Sequence, residues 1–243
     1  MKQCRLFIHG WLGSPKDWRG IARDHDLLFC IPGHDAKPLC SSNNWFPESI
    51  EELFENTKDY DQIDFIGYSL GGRIALSFAE SFPEKVKTLQ LIASHPGYQD
   101  PVEIQKQLKQ ETHIETLFKE LSYSSFLEQW YHFDLFKTLN DTHRQRLIQK
   151  RLQQNSEHMF AAFKGFSHQY YSSKIETLKK LAHKTNLIVG QQDSKYFQIA
   201  HNIQKKIPKL SVQSLATAGN ACHISHRLTV KKEIDSFIDQ QAS

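Results

Sequence analysis

The most constraining feature of this chain is a G-x-S-x-G pentapeptide between an apolar segment and a helical segment. It runs from Gly67 to Gly71 with Ser69 at its centre. Residues 64–66 before it predict the end of a strand, and residues 73–79 after it predict a helix. A serine at the apex of such a turn points out of the sheet, and its neighbours must be small because larger side chains would collide with adjacent elements. The pattern predicts a serine nucleophile on a strained turn.

A glycine-rich turn before a helix can instead hold a phosphate group at the helix N-terminus. A phosphate loop would need a G-K-[ST] ending or a G-x-G-x-x-G run, and residues 71–74 supply neither. We therefore favour the serine nucleophile. A strand, a sharp turn carrying the serine and a helix together indicate the nucleophile elbow of an α/β-hydrolase fold.

The other two members of a catalytic triad follow in the order serine, acid, histidine that this architecture uses. Asp193 lies three residues beyond the apolar segment 187–190, and His223 follows the apolar segment 210–215. We expect both on loops at the carboxyl ends of parallel strands. A serine hydroxyl is a poor nucleophile until an imidazole accepts its proton, and a carboxylate fixes the tautomer of that imidazole. Ser69, Asp193 and His223 are therefore the predicted catalytic residues.

The chain has 13 histidines, so His223 is selected by its position and not by its residue type. His226 is the nearest alternative. The two histidines have the H-x-x-H spacing of a metal pair, but no third ligand with suitable spacing accompanies them. We therefore expect no metal site and no cofactor, and we interpret Cys222 as a small packing residue.

An oxyanion hole requires two backbone N–H groups, one directly after the nucleophile and one in the loop after an earlier strand. Leu70 supplies the first. Residues 5–8 predict that earlier strand and residues 9–13 the loop after it, so Trp11 is expected to supply the second. A Trp11 side chain that merely covers the core is the alternative, and both roles can hold together.

The length of 243 residues suits one catalytic domain with an inserted cap. The net charge of +3 comes from 30 basic and 27 acidic residues without a basic run interleaved with aromatic residues, which argues against a nucleic-acid partner. No signal sequence or long apolar stretch is present, so we expect a cytoplasmic protein without membrane insertion. The four cysteines lack C-x-x-C spacing and are expected to be free thiols. Nothing in the sequence indicates whether the protein is a monomer or an oligomer.

Six apolar segments predict strands that alternate with helical or loop segments, at residues 4–9, 27–31, 62–66, 87–93, 186–190 and 209–215. This alternation indicates a mostly parallel central sheet flanked by helices. It breaks between residues 96 and 184, where the apolar residues have helical spacing. We predict an α/β core formed by residues 1–95 and 185–243, and a helical cap formed by residues 96–184. A separate helical domain is less favoured because both flanking segments are needed to complete one sheet.

Arg73 stands four residues after Ser69, on the first turn of the predicted helix. Residues at this spacing share a helix face, so the guanidinium can lie near the reaction centre. An esterase for apolar acyl groups has little need of a permanent positive charge there. An Arg73 that points sideways into an ion pair is an equally acceptable interpretation of the sequence alone.

Several further motifs resemble the 2-succinyl-6-hydroxy-2,4-cyclohexadiene-1-carboxylate synthases of menaquinone biosynthesis. They are the G-G-R extension of the elbow at 71–73, His95-Pro96-Gly97, Trp130-Tyr131, and Asp193-Ser194-Lys195. The resemblance covers most of the chain from Ser69 onward. It implies a lyase that uses its triad as a general base and eliminates pyruvate from 2-succinyl-5-enolpyruvyl-6-hydroxy-3-cyclohexene-1-carboxylate, a small polycarboxylate substrate.

The resemblance also implies substrate-binding residues. Arg73 and Arg151 match arginines that hold substrate carboxylates, a role that suits a planar guanidinium that stays charged at any working pH. Tyr68 and Trp130 match residues that line the pocket.

The chain departs from the family pattern at three places. A further arginine of the family aligns with Gln107, so that contact is lost unless Lys106 or Lys109 replaces it. The usual G-H-N before the catalytic histidine is replaced by residues 219–221, and the usual P-G-H-G stretch by residues 32–35. The first departure affects the identity of the substrate, whereas the other two leave the triad intact.

Two other functions fit the same motifs. A carboxylesterase or thioesterase of the same fold would use Ser69 as a covalent nucleophile. A noncatalytic binding protein is disfavoured because all three triad residues are retained.

Overall fold

The structure is a computed structural model that describes residues 1–241. The last two residues of the predicted core, 242 and 243, lie outside the described residues. Within residues 1–241, six strands form one sheet in the order β2-β1-β3-β4-β5-β6, and every adjacent pair is parallel. The strands are β1 (Gln3–Ile8), β2 (Leu27–Phe29), β3 (Gln62–Tyr68), β4 (Val86–Ile92), β5 (Thr185–Gly190) and β6 (Ser211–Leu215). The predicted parallel sheet is confirmed.

The segment predicted as a strand at residues 27–31 pairs only as far as Phe29. The backbone N–H of Ile31 donates to Nε2 of His9 instead of to a neighbouring strand. Pro32 follows and has no N–H to continue a ladder. The chain therefore leaves the sheet two residues earlier than predicted.

Ten α-helices connect and cover these strands within the described part of the chain. They are α1 (Trp45–Thr57), α2 (Leu70–Ser81), α3 (Pro101–Glu120), α4 (Tyr123–Tyr131), α5 (Asp141–Arg151), α6 (Ser156–Gly165), α7 (Ile175–Lys180), α8 (Ser194–Lys206), α9 (Cys222–Ser225) and α10 (Arg227–Gln240). Six begin after a side chain that accepts a hydrogen bond from a backbone N–H of the first turn, namely Asn44, Asp100, Ser122, Asn140, Asn155 and Asp193. No helix in residues 1–241 is long and apolar enough to cross a bilayer.

Alternate residues of the central strands supply two hydrophobic clusters, one on each face of the sheet. Phe65 belongs to the cluster that includes residues of α1, α2 and α8. Its neighbour Ile66 belongs to the opposite cluster, with Trp18 and residues of α10. This division follows from the two-residue repeat of a strand, and it explains why apolar residues predominate in the central strands, with Asp64, Thr88 and Gln90 as buried polar exceptions.

A third hydrophobic cluster forms the inside of the helical insertion. Phe126, Leu127 and Met159 are fully buried in it, and Leu12 of the core loop joins them. By contrast, Ile175 and Leu178 of α7 belong to the main core cluster. We therefore propose a cap formed chiefly by α3 to α6, which ends before α7 and thus before residue 184.

The order of the strands places a crevice between β1 and β3. From β1 the chain passes to β2 on one side, and then to β3 on the other side. Ligands of open α/β sheets bind outside the carboxyl ends of the strands at such a switch point. The loop that contains Trp11 follows β1 and Ser69 follows β3, so the fold brings both to this crevice.

Candidate active site

The turn between β3 and α2 has the strained geometry expected of a nucleophile elbow. Ser69 has φ 51° and ψ −112°, a region that residues other than glycine rarely adopt. A Cβ added to Gly71 would lie 2.2 Å from the carbonyl oxygen of Ile8, and one added to Gly67 would lie 2.6 Å from the carbonyl carbon of Gly71. The close approach of β1, β3 and α2 therefore requires glycine at both positions.

A single cavity of about 1320 Å³ lies between the sheet and the cap. All of the predicted site residues line it: Trp11, Tyr68, Ser69, Leu70, Arg73, Trp130, Arg151, Asp193 and His223. Gln107, Lys106 and Lys109 also line it. The fold thus gathers residues from the whole length of the chain around one space.

The three predicted triad residues share this cavity without forming a hydrogen-bonded relay. Within residues 1–241, neither the hydroxyl of Ser69 nor the ring of His223 makes a hydrogen bond, and Nδ1 of His223 is buried without a partner. The sequence predicted that His223 lies on a loop, but the residue lies in the short helix α9. Its imidazole is therefore an unsatisfied polar group, which is costly in a buried position.

The carboxylate of Asp193 is held by other groups. Its Oδ1 accepts from the backbone N–H of Tyr196 at 3.2 Å, and its Oδ2 accepts from Nδ2 of Asn220 at 2.7 Å. The hydroxyl of Tyr68 donates to Oδ1 of Asn220 at 2.5 Å. Asn220 thus joins the tyrosine beside the nucleophile to the predicted catalytic acid.

The ring of His223 lies between two aromatic rings. Its centroid is 3.9 Å from that of Tyr68 and 5.2 Å from that of Trp18. Burial lowers the pKa of His223 from 6.5 to about 3, and the negative charge of Asp17 opposes this shift only in part. The imidazole is therefore neutral near neutral pH, which is the form that accepts a proton.

The depressed pKa of His223 predicts an unusual dependence of activity on pH. The pH profile of kcat/KM reports the ionisation of the free enzyme. Between about pH 8 and about pH 5, we expect kcat/KM to show no decrease centred at the ordinary histidine pKa of 6.5. The neutral base persists until the pH approaches the folded-state pKa. Initial rates in buffers of constant ionic strength test this. A descending limb centred near 6.5 would show that water reaches the ring in the working enzyme.

The two predicted oxyanion-hole amides are free of protein acceptors. In the described part of the chain, the backbone N–H groups of Trp11 and Leu70 make no hydrogen bond. The side chain of Trp11 extends into the cap, where Nε1 donates to the carbonyl oxygen of Met159 at 2.9 Å and the ring lies 5.0 Å from Trp130. The ring of Trp11 therefore packs in the interior, as one of the two interpretations of the sequence holds, whereas the oxyanion-hole role of its N–H stays a prediction.

The guanidinium of Arg73 has no acidic partner among residues 1–241. It donates to the carbonyl oxygen of Phe166 at 3.0 Å and lies over the rings of Tyr171 and Phe46. Burial lowers its pKa. The ion pair considered as an alternative is absent from the described residues, and the guanidinium lies in the cavity wall.

Arg151 is paired within the protein. Its Nη2 lies 2.6 Å from Oδ2 of Asp17, and its Nε donates to the hydroxyl of Tyr131 at 3.3 Å. Both members of the ion pair are about 5% exposed or less. Although burial opposes both shifts, the pairing raises the pKa of Arg151 and lowers that of Asp17. A substrate carboxylate at Arg151 would share the guanidinium with Asp17.

A chain of two imidazoles and a carboxylate lies beside Arg73. Nδ1 of His95 accepts from the N–H of Gly97 at 3.0 Å, so a neutral His95 carries its proton on Nε2. That atom lies 3.4 Å from Nε2 of His168, whose Nδ1 donates to Glu111. Both oxygens of Glu111 are engaged by Ser167 and His168, which leaves Arg73 without this carboxylate.

Sequence reasoning did not identify Asp17, Asn220 or the histidine chain as parts of the site. The structural position of Asp17 could have been predicted from sequence, because Ser14 and Asp17 have the spacing of a capping box and form one at the start of a short helical turn. Asn220 was noticed only as a departure from a family motif. Nothing in the sequence brings His95, His168 and Glu111 together, since they lie on three separate segments.

Comparisons with known proteins agree with this architecture. The chain is 26% identical over 259 residues to the chloroplastic protein PHYLLO of Arabidopsis thaliana, but it spans only 15% of that relative's length. It is 24% identical over 243 residues to a putative 2-succinyl-6-hydroxy-2,4-cyclohexadiene-1-carboxylate synthase of Bacillus subtilis, covering 95% of this chain and 88% of the relative. The structure of MenH from S. aureus matches with a TM-score of 0.88 at 21% identity, covering 99% of this chain and 95% of the other.

A family model described as the alpha/beta hydrolase fold matches residues 6–226, which is most of the chain. The match includes both halves of the core and the inserted helices. It also agrees with the parallel sheet and with the strained serine between β3 and α2. This chain belongs to the α/β-hydrolase fold family.

Proposed function

We propose that this chain is a lyase that eliminates pyruvate from 2-succinyl-5-enolpyruvyl-6-hydroxy-3-cyclohexene-1-carboxylate. The B. subtilis relative is named as a putative synthase of the corresponding cyclohexadiene carboxylate. The chain belongs to the α/β-hydrolase fold family, and several of its relatives are named as enzymes. Both findings support the interpretation that this chain is an enzyme. In this proposal the reaction belongs to menaquinone biosynthesis.

The observation that carries the proposal is the unpaired guanidinium of Arg73. It lines the same cavity as Ser69, one helical turn away, and it forms no ion pair within residues 1–241, although the negative charge of Glu111 partly opposes the effect of burial on its pKa. A partly buried charge without an ion pair costs free energy, so its position in a binding cavity favours an anionic ligand. A substrate with several carboxylates provides that ligand, whereas a simple apolar ester does not.

In the proposed mechanism, Ser69 and His223 act together as the general base. They remove a ring proton, the electron pair of the broken C–H bond forms a C=C bond, and the C–O bond to the enolpyruvyl group breaks. The departing enolate takes up a proton to become pyruvate. Asp193 exchanges its hydrogen bond with Asn220 for one with Nδ1 of His223, which stabilises the imidazolium. The free amides of Trp11 and Leu70 stabilise the negative charge that develops in the transition state.

The assay that tests this function measures pyruvate released from the enolpyruvyl substrate, coupled to reduction by lactate dehydrogenase. We expect release of one pyruvate for each cyclohexadiene product formed. Absence of pyruvate release, together with rapid hydrolysis of a p-nitrophenyl ester, would reject the lyase.

A carboxylesterase or thioesterase remains the second candidate because one observation favours it. The two backbone amides predicted for the oxyanion hole make no hydrogen bond to the described residues, so they are available to the oxyanion of an acyl-transfer intermediate. An esterase forms a covalent intermediate on Ser69. Trapping of this serine by a fluorophosphonate during steady-state ester turnover would favour the esterase.

Arg73 provides a direct test of the anion clamp. We expect Arg73→Met to lower kcat/KM for the enolpyruvyl substrate by about 10- to 150-fold, which corresponds to the loss of about 1.5–3 kcal/mol from a charged hydrogen bond. Arg73→Lys keeps the charge but loses the planar fork, so its kcat/KM should lie between those of the wild type and Arg73→Met. Steady-state kinetics of the three proteins provide the comparison.

The thermal unfolding midpoint supplies the control for Arg73. The guanidinium forms no ion pair within residues 1–241 and its partial burial costs free energy, so its removal should not lower the midpoint while activity falls. A large loss of stability with unchanged kcat/KM would show that Arg73 serves the fold and not the substrate.

A further inference from the structure

Besides Arg73, three lysines line the cavity without an ion pair in the described part of the chain, namely Lys109, Lys137 and Lys195. Among these three, the exposed Lys195 is the one whose ammonium makes hydrogen bonds to protein groups. Lys195 lies in the first turn of α8, two residues after Asp193. Its Nζ donates to Oε1 of Gln107 at 3.3 Å and to Oε1 of Gln110 at 3.5 Å. Both contacts are long and both acceptors are neutral. The ammonium is therefore held in place but not neutralised.

The carboxylate of Asp193 forms no ion pair with Lys195, and its oxygens accept hydrogen bonds from other groups. Asp193 raises the pKa of Lys195 through its charge, although burial lowers that pKa overall. The two carboxylate oxygens of Asp193 accept from Tyr196 and Asn220 instead. Lys195 therefore keeps its donor capacity for a group that enters the cavity.

Lys195 and Arg73 lie on the same side of the cavity. His95 connects them, since its carbonyl oxygen accepts from the hydroxyl of Tyr171, over whose ring Arg73 lies. The ring of His95 is also 6.1 Å from that of Tyr196, the residue next to Lys195. Both cations lower the pKa of His95 and of His168. Two cations that form no ion pair within residues 1–241 thus lie near one pair of imidazoles.

We propose that Lys195, steadied by Gln107 and Gln110 of the cap helix α3, is a carboxylate-binding residue that forms with Arg73 a subsite for a substrate bearing two carboxylates. This inference rests on the proposed function and defines the substrate class of its site. The cation that faces Gln107 comes from the core helix α8, and not from Lys106 or Lys109 of the cap. Both cations of the subsite come from the core helices α2 and α8, and the cap contributes the two glutamines that contact Lys195.

Equilibrium binding of small acids tests the subsite without any chemistry. Glutarate and its monomethyl ester are titrated calorimetrically into the full chain, at low ionic strength because salt screens such charges. We expect glutarate to bind more tightly than the half-ester. Lys195→Met should weaken the binding of glutarate by about tenfold and change the binding of the half-ester little, because the single carboxylate of the half-ester binds Arg73.

Two variants serve as controls for this titration. Lys205→Met removes an exposed lysine from the last turn of the same helix and should leave both affinities unchanged. Lys195→Arg keeps a cation and should retain most of the preference for glutarate. Thermal unfolding of each variant checks that the fold is intact.

The possible failures can be told apart. The subsite is overturned if wild-type protein fails to bind glutarate, if it shows no preference over the half-ester, or if Lys195→Met changes both affinities equally or neither. A loss of glutarate preference in Lys195→Met, with no pyruvate released by the wild-type enzyme, would support the subsite and reject only the lyase. Pyruvate release with an unaffected glutarate affinity in Lys195→Met would reject only the subsite.

Discussion

Replacement of Ser69 by alanine is expected to lower kcat for pyruvate elimination by at least about 10³-fold, because the proposed base acts through this hydroxyl. Single-turnover and steady-state assays with purified protein measure the effect. The elbow keeps its glycines in this variant, so the cavity and the affinity for substrate should change little. A variant that retains more than about one tenth of the wild-type kcat would exclude a catalytic role for Ser69.

Two companion variants separate chemistry from folding. Ser81→Ala changes an exposed serine at the end of α2 and should leave kcat unchanged. Ser69→Gly removes the hydroxyl and also the Cβ that makes φ 51° costly, so it should be inactive and yet more stable by about 1 kcal/mol. A less stable glycine variant would show that the turn is not strained.

Replacement of Asp17 by alanine is expected to lower the free energy of unfolding by about 3–5 kcal/mol, since it leaves Arg151 buried without its carboxylate. Urea unfolding followed by circular dichroism measures this loss. Arg151→Met is the matched partner, and the double variant should recover part of the stability because no unpaired charge remains. Equal losses that simply add would show that the two charges do not interact.

The same pair predicts how stability responds to acid. The folded-state pKa of Asp17 lies below its ordinary value of 3.8, although burial opposes this shift. Its stabilising contribution is therefore complete above the ordinary pKa and is lost as the pH falls through the folded-state pKa. The difference in stability between wild type and Asp17→Ala should accordingly shrink only in strong acid.

The elements that sequence analysis predicted correctly are those set by local patterns. Apolar runs of five to seven residues with helical segments between them define the six strands. The elbow follows from the glycines at 67 and 71, which the packing of β1 against α2 requires. Both signals lie within short stretches of chain, so one sequence is enough to find them.

The contacts that the sequence did not predict join distant residues. Asp17 and Arg151 are separated by 134 positions, and no local periodicity connects them. Asn220 reaches Asp193 only because β5 and β6 are neighbours in the sheet. The roles assigned to Ser69, Asp193 and His223 stay predictions. In the proposed mechanism, Asp193 must give up its hydrogen bond with Asn220 before it can bind His223, and no sequence motif indicates that exchange.

The side chain of Trp11 attaches the loop after β1 to Met159 of the cap, and the same residue lines the cavity with Ser69. In the proposed reaction, the backbone N–H of Trp11 stabilises the negative charge of the departing enolate. An outward movement of the cap would pull on this tryptophan and displace that amide. The proposed lyase would therefore hold a reactive enolate only while the cap stays in place.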